Sequence, residues 1–197
     1  MNCARVEGRL GLFGGSFDPV HLGHLLVAQA ACEELGLSRL FFIPAAQSPF
    51  KPGAEPAPAS ARLAMLRLAL AGEARYEIDD QEIRRGGVSY TIDTVRDYAA
   101  RFAPAELFYL IGADHVSKLP QWREADELAR LAQFVVIPRP GEVMAPPPVP
   151  FRVRTLGGFP LAVSSSQVRQ RVKARQAVTH LVPAAVAEFI YNNRLYL

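Results

Sequence analysis

Cysteine is nearly missing from this chain. Of 197 residues only Cys3 and Cys32 carry a thiol, and neither sits at a CxxC or other metal-ligand spacing. A disulfide framework and a thiolate metal site are thereby excluded, and a reducing cytosol becomes the default compartment. Both thiols read as small apolar fillers. No apolar run approaches the ~18 residues that a membrane span needs, and the opening MNCARVEGRL lacks the apolar stretch of a secretory signal. The expectation is a soluble cytoplasmic protein without a membrane partner. Acids are missing from one long stretch. Phe151 to Arg175 holds Arg152, Arg154, Arg169, Arg171, Lys173 and Arg175 with no Asp or Glu between them. The formal net charge is only +3. That local field suits an anionic small ligand, a nucleic acid or plain solvation, and charge alone does not choose.

What is present is a rhythm of short apolar runs and helical patterns. Strands are expected at Arg9 to Phe13, 39–44, 76–83, 106–113, 133–140, Arg152 to Leu156 and Leu161 to Val163. Helices are expected at Leu22 to Leu35, from an N-cap at Ser60 to about Ala71, at Thr91 to Arg101, around Trp122, and at 165–175 and 183–193. Proline-rich loops cover 45–59 and 144–150. Alternation of this kind implies one α/β domain, 1–197, with a doubly wound parallel sheet, helices on both faces and helices at the C-terminal end. In such a sheet, ligands sit beyond the carboxyl ends of the strands where the strand order reverses.

GLFGGSFDPVHLGHLL, 11–26, lies at the carboxyl end of the first expected strand. Gly14 and Gly15 permit a sharp turn and close approach to a ligand. Pro19 presets the backbone before a helix beginning near His21 or Leu22, whose free N–H groups and positive dipole end form an anion cradle. His21 and His24 fall on one face of its first turn, with Gly23 leaving space between them. Two structural histidines, a metal site and a phosphate site are the readings to weigh. Zinc usually takes three or four ligands and only Asp18 is near. A glycine turn, a helix N-terminus and two N–H donors suit an anion better.

GSFDPVHLGH, 15–24, resembles the HxGH nucleotidyltransferase superfamily, and VSSSQVR, 163–169, is similar to that superfamily's second motif, with Ser166 where threonine is usual. Serine there caps a helix, and Arg169, a turn later, can fork onto phosphate oxygens. The middle of the chain narrows the likeness. GGVSYTIDT at 86–94, LIGADHVSKLPQWREADEL at 110–128 and FVVIPRPG at 134–141 resemble segments of the bacterial nicotinate-mononucleotide adenylyltransferases, in the same order. The resemblance implies a Rossmann-like fold and adenylyl transfer from ATP, carried by Mg²⁺, to nicotinate mononucleotide. It implies ATP contacts from Gly14, Gly15, Ser16, Phe17, His21, His24, Gly112, Asp114, Ser164, Ser165, Ser166 and Arg169. Lys51, Tyr90, Thr91, Trp122 and Arg139 would contact the mononucleotide, and His21, His24, Lys51 and Arg169 would carry the transfer. Thr94 and Asp93 are weaker candidates. One departure stands out: SPFKPG has Phe50 where the family usually has histidine before the lysine.

The residue types fit this chemistry. Trp122 offers a flat face to a pyridine ring, although a core tryptophan is equally ordinary. N–H groups at the start of the Tyr90–Thr91 helix suit a carboxylate. A phosphate monoester is already ionised near neutral pH, its second pKa being about 6, so no general base is required and no protein-metal cluster is expected. Two alternatives remain. One is a sister adenylyltransferase acting on phosphopantetheine or another phosphate. The other is a non-catalytic nucleotide- or RNA-binding module using the basic 151–175 region, although only Phe151 and Phe159 flank it where stacking aromatics would be wanted.

Overall fold

Strand β1, Arg9–Gly15, buries Leu10 and Leu12 on one side and Phe13 on the other, the period of two expected of a sheet covered on both faces. The structure, a computed structural model, describes residues 8–50, 55–137, 146–159 and 161–197. After β1 come α1 (Leu22–Leu35), β2 (Arg39–Pro44), α2 (Ala59–Ala69), β3 (Tyr76–Ile78), α3 (Gln81–Arg85) and α4 (Thr91–Arg101). Then follow β4 (Glu106–Gly112), a 3₁₀ helix (Ala113–Gln121), α5 (Ala125–Leu131), β5 (Gln133–Ile137), β6 (Val153–Thr155), α6 (Ser165–Lys173) and α7 (Ala184–Asn192).

The strands form one parallel sheet in the order β3-β2-β1-β4-β5-β6. Its order reverses between β1 and β4, so their carboxyl ends open a crevice for ligand. One face carries α1, α2, α6 and α7, packed on Phe13, Phe42, Phe108 and Leu110. The other carries α4, the 3₁₀ helix and α5, packed on Leu12, Phe41, Tyr109 and Val136. Cys32 is buried in the first of these layers, and its thiol pKa is raised by burial, consistent with a filler. No helix among the described residues is long and apolar enough to cross a membrane.

Several local expectations need correction. The cap of α2 is Pro58, with Ser60 already inside the helix, because proline's fixed φ presets the turn whose carbonyl accepts from Ala61 and Arg62. The extended stretch at 76–83 stops at Ile78: Asp79 accepts from the Gln81 N–H (3.0 Å) and turns the chain into α3. Leu161 to Val163 is no strand; Val163 N–H turns back to the Leu161 carbonyl (2.9 Å), and the segment lines a cavity instead. Trp122 is extended, between the 3₁₀ helix and α5. The remaining strand at 152–156 shortens to Val153–Thr155.

Candidate functional site

The glycines after β1 do not make the turn. Gly14 and Gly15 still belong to the strand. A Cβ on Gly14 would sit 2.4 Å from the Tyr109 hydroxyl, and one on Gly15 3.2 Å from the Phe17 ring. They are small because neighbours from β4 and the loop press against them. The left-handed residue is Phe17, at φ 47, a conformation costing a non-glycine residue roughly 1–2 kcal/mol. Burial of its ring against Phe13, Phe42 and His24, with centroids at 5.5, 5.5 and 5.1 Å, holds it there.

His21 is the cap of α1, in extended conformation. Its backbone N–H donates to His24 Nδ1 (3.2 Å), and the two imidazoles stack at 3.7 Å and 27°. The accepting Nδ1 places the proton of neutral His24 on Nε2. His21 is 6 % exposed, and burial lowers its pKa to about 4, so it is neutral near pH 7. Its Nδ1 is buried without a hydrogen-bond partner among the described residues. Gly23 leaves the His21 ring its place: a Cβ there would lie 3.1 Å from that ring, tight enough to press on it. The helix start is less open than expected, since Leu22 N–H donates to the Leu181 carbonyl (2.9 Å).

The second motif closes onto the first. Ser164 caps α6, its hydroxyl accepting from Gln167 N–H (3.2 Å) while Gln167 Oε1 accepts from Ser164 N–H (2.9 Å). Ser165 Oγ donates to the Pro19 carbonyl (2.9 Å). Arg169 donates to the Asp18 carbonyl (2.7 Å) and to Ser166 Oγ (3.2 Å). Segments from opposite ends of the chain thus share one wall.

That wall bounds a cavity of about 1090 Å³, at the upper end of the usual range for small-molecule and cofactor sites. Ser16, Phe17, His21, His24, Gly112, Ser164 to Ser166 and Arg169 all line it, as does Gly15. Gly14 and Asp114 do not; Asp114 opens the 3₁₀ helix, its carboxylate 3.8 Å from His115 Nε2. Among the described residues no group of three or more His, Cys, Asp or Glu is placed to hold a metal.

Tyr90, Thr91 and Trp122 lie outside that lining, and Thr91 and Trp122 meet at Tyr109. Tyr90 caps α4, and Thr91 Oγ1 reaches the Tyr109 hydroxyl at 3.4 Å. Arg123 sits over the Tyr90 ring (4.8 Å). The Trp122 ring meets Tyr109, Phe134 and Phe50 at 6.3, 6.0 and 5.5 Å, and its Nε1 is buried without a partner among the described residues. Phe50 also packs on His115 (4.8 Å). Thr94 is fully buried and donates to Glu82 (2.6 Å), while Asp93 faces Arg96 at 4.0 Å; both serve the architecture of α4. Lys51 and Arg139 lie outside the described residues.

Sequence reasoning missed two buried charges. Arg62, 2 % exposed, donates to the carbonyls of Ser16 (2.8 Å), Ala45 (2.9 Å) and Ala57 (3.2 Å). Burial lowers its pKa, and the nearby Asp18 charge opposes that. Glu82, 4 % exposed, has a pKa raised by burial and is bonded by the Thr94 and Ser89 hydroxyls. Its only signal was an acid in a segment read as extended.

Comparison with known proteins places the chain in a family. A cytidylyltransferase-like family model matches residues 12–171. A protein of Opitutus terrae named as a probable nicotinate-nucleotide adenylyltransferase is 42 % identical over 190 residues, covering 95 % of this chain and 97 % of that one. One so named from Thermus thermophilus is 42 % identical, with 95 % and 99 % covered. The Plasmodium falciparum nicotinic acid mononucleotide adenylyltransferase complexed with NaAD shares the fold, at a TM-score of 0.78 and 14 % identity, with 96 % and 97 % covered. The chain belongs to the cytidylyltransferase-like family and, within it, to the nicotinate-nucleotide adenylyltransferases.

Proposed function

We propose that this protein transfers the adenylyl group of ATP to nicotinate mononucleotide, giving nicotinate adenine dinucleotide and pyrophosphate. The observation that carries the reading is the stacked His21–His24 pair at the sheet's switch point, walled by Arg169 from the second motif. A phosphate oxygen of the mononucleotide attacks the α-phosphorus, and the bond from that phosphorus to the bridging oxygen of the leaving pyrophosphate breaks. The nucleophile is already an anion, so the protein's task is alignment and charge stabilisation.

Neutral His24 donates from Nε2 to a phosphate oxygen, and His21 holds its stacked partner in line. Arg169 and Lys51 add positive charge, and the Ser164–Ser166 helix start and the Ser16–Phe17 backbone receive the triphosphate. Gly112 leaves room for the nucleotide, and Asp114 accepts from a ribose hydroxyl. On the acceptor side, Trp122 faces the pyridine, N–H groups at Tyr90 and Thr91 take the carboxylate, and Arg139 takes the phosphate. Asp18 Oδ1 accepts from the Tyr196 hydroxyl and the Ala57 N–H, and no cluster of metal ligands is found among the described residues, so Mg²⁺ would arrive with ATP and would supply charge neutralisation to the leaving pyrophosphate.

Purified protein with Mg-ATP and either nicotinate mononucleotide or its nicotinamide analogue tests this, with products identified by mass. Dinucleotide and pyrophosphate in equal amounts, faster with the acid, are expected. Equal rates with both would remove the carboxylate pocket at Tyr90 and Thr91. No product with either would overturn the reading in favour of phosphopantetheine or of binding without chemistry.

A further inference from the structure

Asp18 stands behind the histidines and is almost wholly buried, at 5 % exposure. Its Oδ1 accepts from the Tyr196 hydroxyl (2.7 Å) and from the Ala57 N–H (3.2 Å). Its other oxygen lies 3.8 Å from the Arg169 guanidinium. An arginine and a carboxylate this close ordinarily form a direct, often bidentate, pair. Here Arg169 instead donates to the main-chain carbonyl of Asp18 (2.7 Å) and to Ser166 Oγ (3.2 Å). Two neutral donors fill Oδ1, and turning the carboxylate to offer both oxygens to Arg169 would break them. Asp18 also acts electrostatically on buried Arg62, whose guanidinium binds the carbonyls of Ser16, Ala45 and Ala57.

Chain ends commonly fray unless they are tied down. The segment after α7 instead bends through Arg194 at φ 51 and Tyr196 at φ 66, two left-handed non-glycine residues, and delivers the Tyr196 hydroxyl under the site. Burial and Asp18 both raise the Tyr196 pKa, so the hydroxyl remains a donor at any working pH. The Arg169 side chain, 37 % exposed, meanwhile keeps an open side in the cavity.

We propose that Tyr196 is a positioning residue for adenylyl transfer: by holding the Asp18 carboxylate, it keeps the Arg169 guanidinium available to the triphosphate of ATP. The inference rests on the function proposed above. Remove the hydroxyl and the carboxylate is released to close on Arg169, which then meets ATP as half of an ion pair.

The test uses the full chain and reads equilibrium binding of Mg-ATP beside turnover, so a wrong acceptor and a wrong role for Tyr196 give different results. Tyr196→Phe is expected to weaken Mg-ATP binding by roughly fivefold, the net scale of one ordinary hydrogen bond, and to leave KM for nicotinate mononucleotide unchanged. Asp18→Asn keeps the acceptor and removes the charge, and is expected to bind Mg-ATP at least as tightly as wild type. When Tyr196→Phe is added to Asp18→Asn, its effect is expected to vanish. Tyr191→Phe is the control, since it strips a hydroxyl that accepts from Val178 N–H at 3.2 Å nearby, and is expected to move only the melting temperature. Unchanged ATP affinity in Tyr196→Phe, an equal loss in Tyr191→Phe, weaker binding by Asp18→Asn, or a parallel rise in KM for both substrates would each overturn the proposal.

Discussion

The two sides of the crevice are made in different ways. The side proposed to take the triphosphate is tied by directional bonds, most of them between remote parts of the chain: Ser165 to Pro19, Arg169 to Asp18, Tyr196 to Asp18, and Arg62 to three carbonyls. The side proposed for the acceptor is an assembly of rings, with Phe50, Tyr109, His115 and Trp122 in tilted or edge-on contact and the Trp122 N–H buried without a partner among the described residues. Ring contacts are weakly directional, whereas buried polar networks permit few arrangements. A triphosphate presents the same charges every time and rewards a ready-made cradle. The link between the two sides is Tyr109, whose hydroxyl touches Thr91 on one side and occupies the space that Gly14 leaves on the other.

The largest break in this comparison is expected from Arg62→Met. Three carbonyls lose their donor and the Asp18 charge loses a nearby cation, a stability cost of roughly 3–5 kcal/mol by urea unfolding. A loss under about 1 kcal/mol would show that the triphosphate side is not held this way. His24→Ala is expected to lower kcat by about 10²–10³, the scale of one lost donor to developing charge, with the melting temperature barely moved. Equal turnover would remove His24 from the chemistry.

The burial of His21 has a pH signature. Its pKa falls from 6.5 unfolded to about 4 folded, so between those values the unfolded chain binds more protons. Stability is complete above pH 6.5 and declines as pH falls toward 4, by about 3 kcal/mol in total. His21→Gln should flatten that slope; an unchanged slope would assign it to other groups. Gly14→Ala, which drives a methyl into the Tyr109 hydroxyl, is expected to cost roughly 1–3 kcal/mol. Tyr109→Phe in the same chain should recover most of it, and no recovery would deny the link between the sides. The smallest effect belongs to Phe50→Ala: KM for the mononucleotide rises roughly threefold, as for one aromatic pair, and ATP affinity stays put. A change in ATP affinity would erase the division of labour.

Helices α1 and α4 and strand β2 are legible to the residue, because periodicity, glycine and proline punctuation and an apolar run are local signals. Both nucleotide motifs are legible for the same reason, each being contiguous. What hides from the sequence is whatever depends on distant partners. Nothing in the sequence around Arg62 marks it as buried; its partners Ser16 and Ala45 are supplied by distant parts of the chain. Tyr196 is one residue from the end of the chain and acquires meaning only through Asp18. Gly14 and Gly15 do not make the turn read from them: both end β1, and the left-handed turn belongs to Phe17, whose buried ring holds it there. The extended reading of 76–83 fails because an Asp79 side-chain turn outcompetes the strand.

Calorimetric titration of the free protein with Mg²⁺ and a non-hydrolysable α,β-methylene analogue of ATP, without mononucleotide, tests the central claim most directly. A cradle complete in advance predicts saturable one-to-one binding that is lost in Arg169→Ala and unchanged in Phe50→Ala. Binding that develops only after nicotinate mononucleotide is added would contradict it, and would mean that the acceptor builds the triphosphate site.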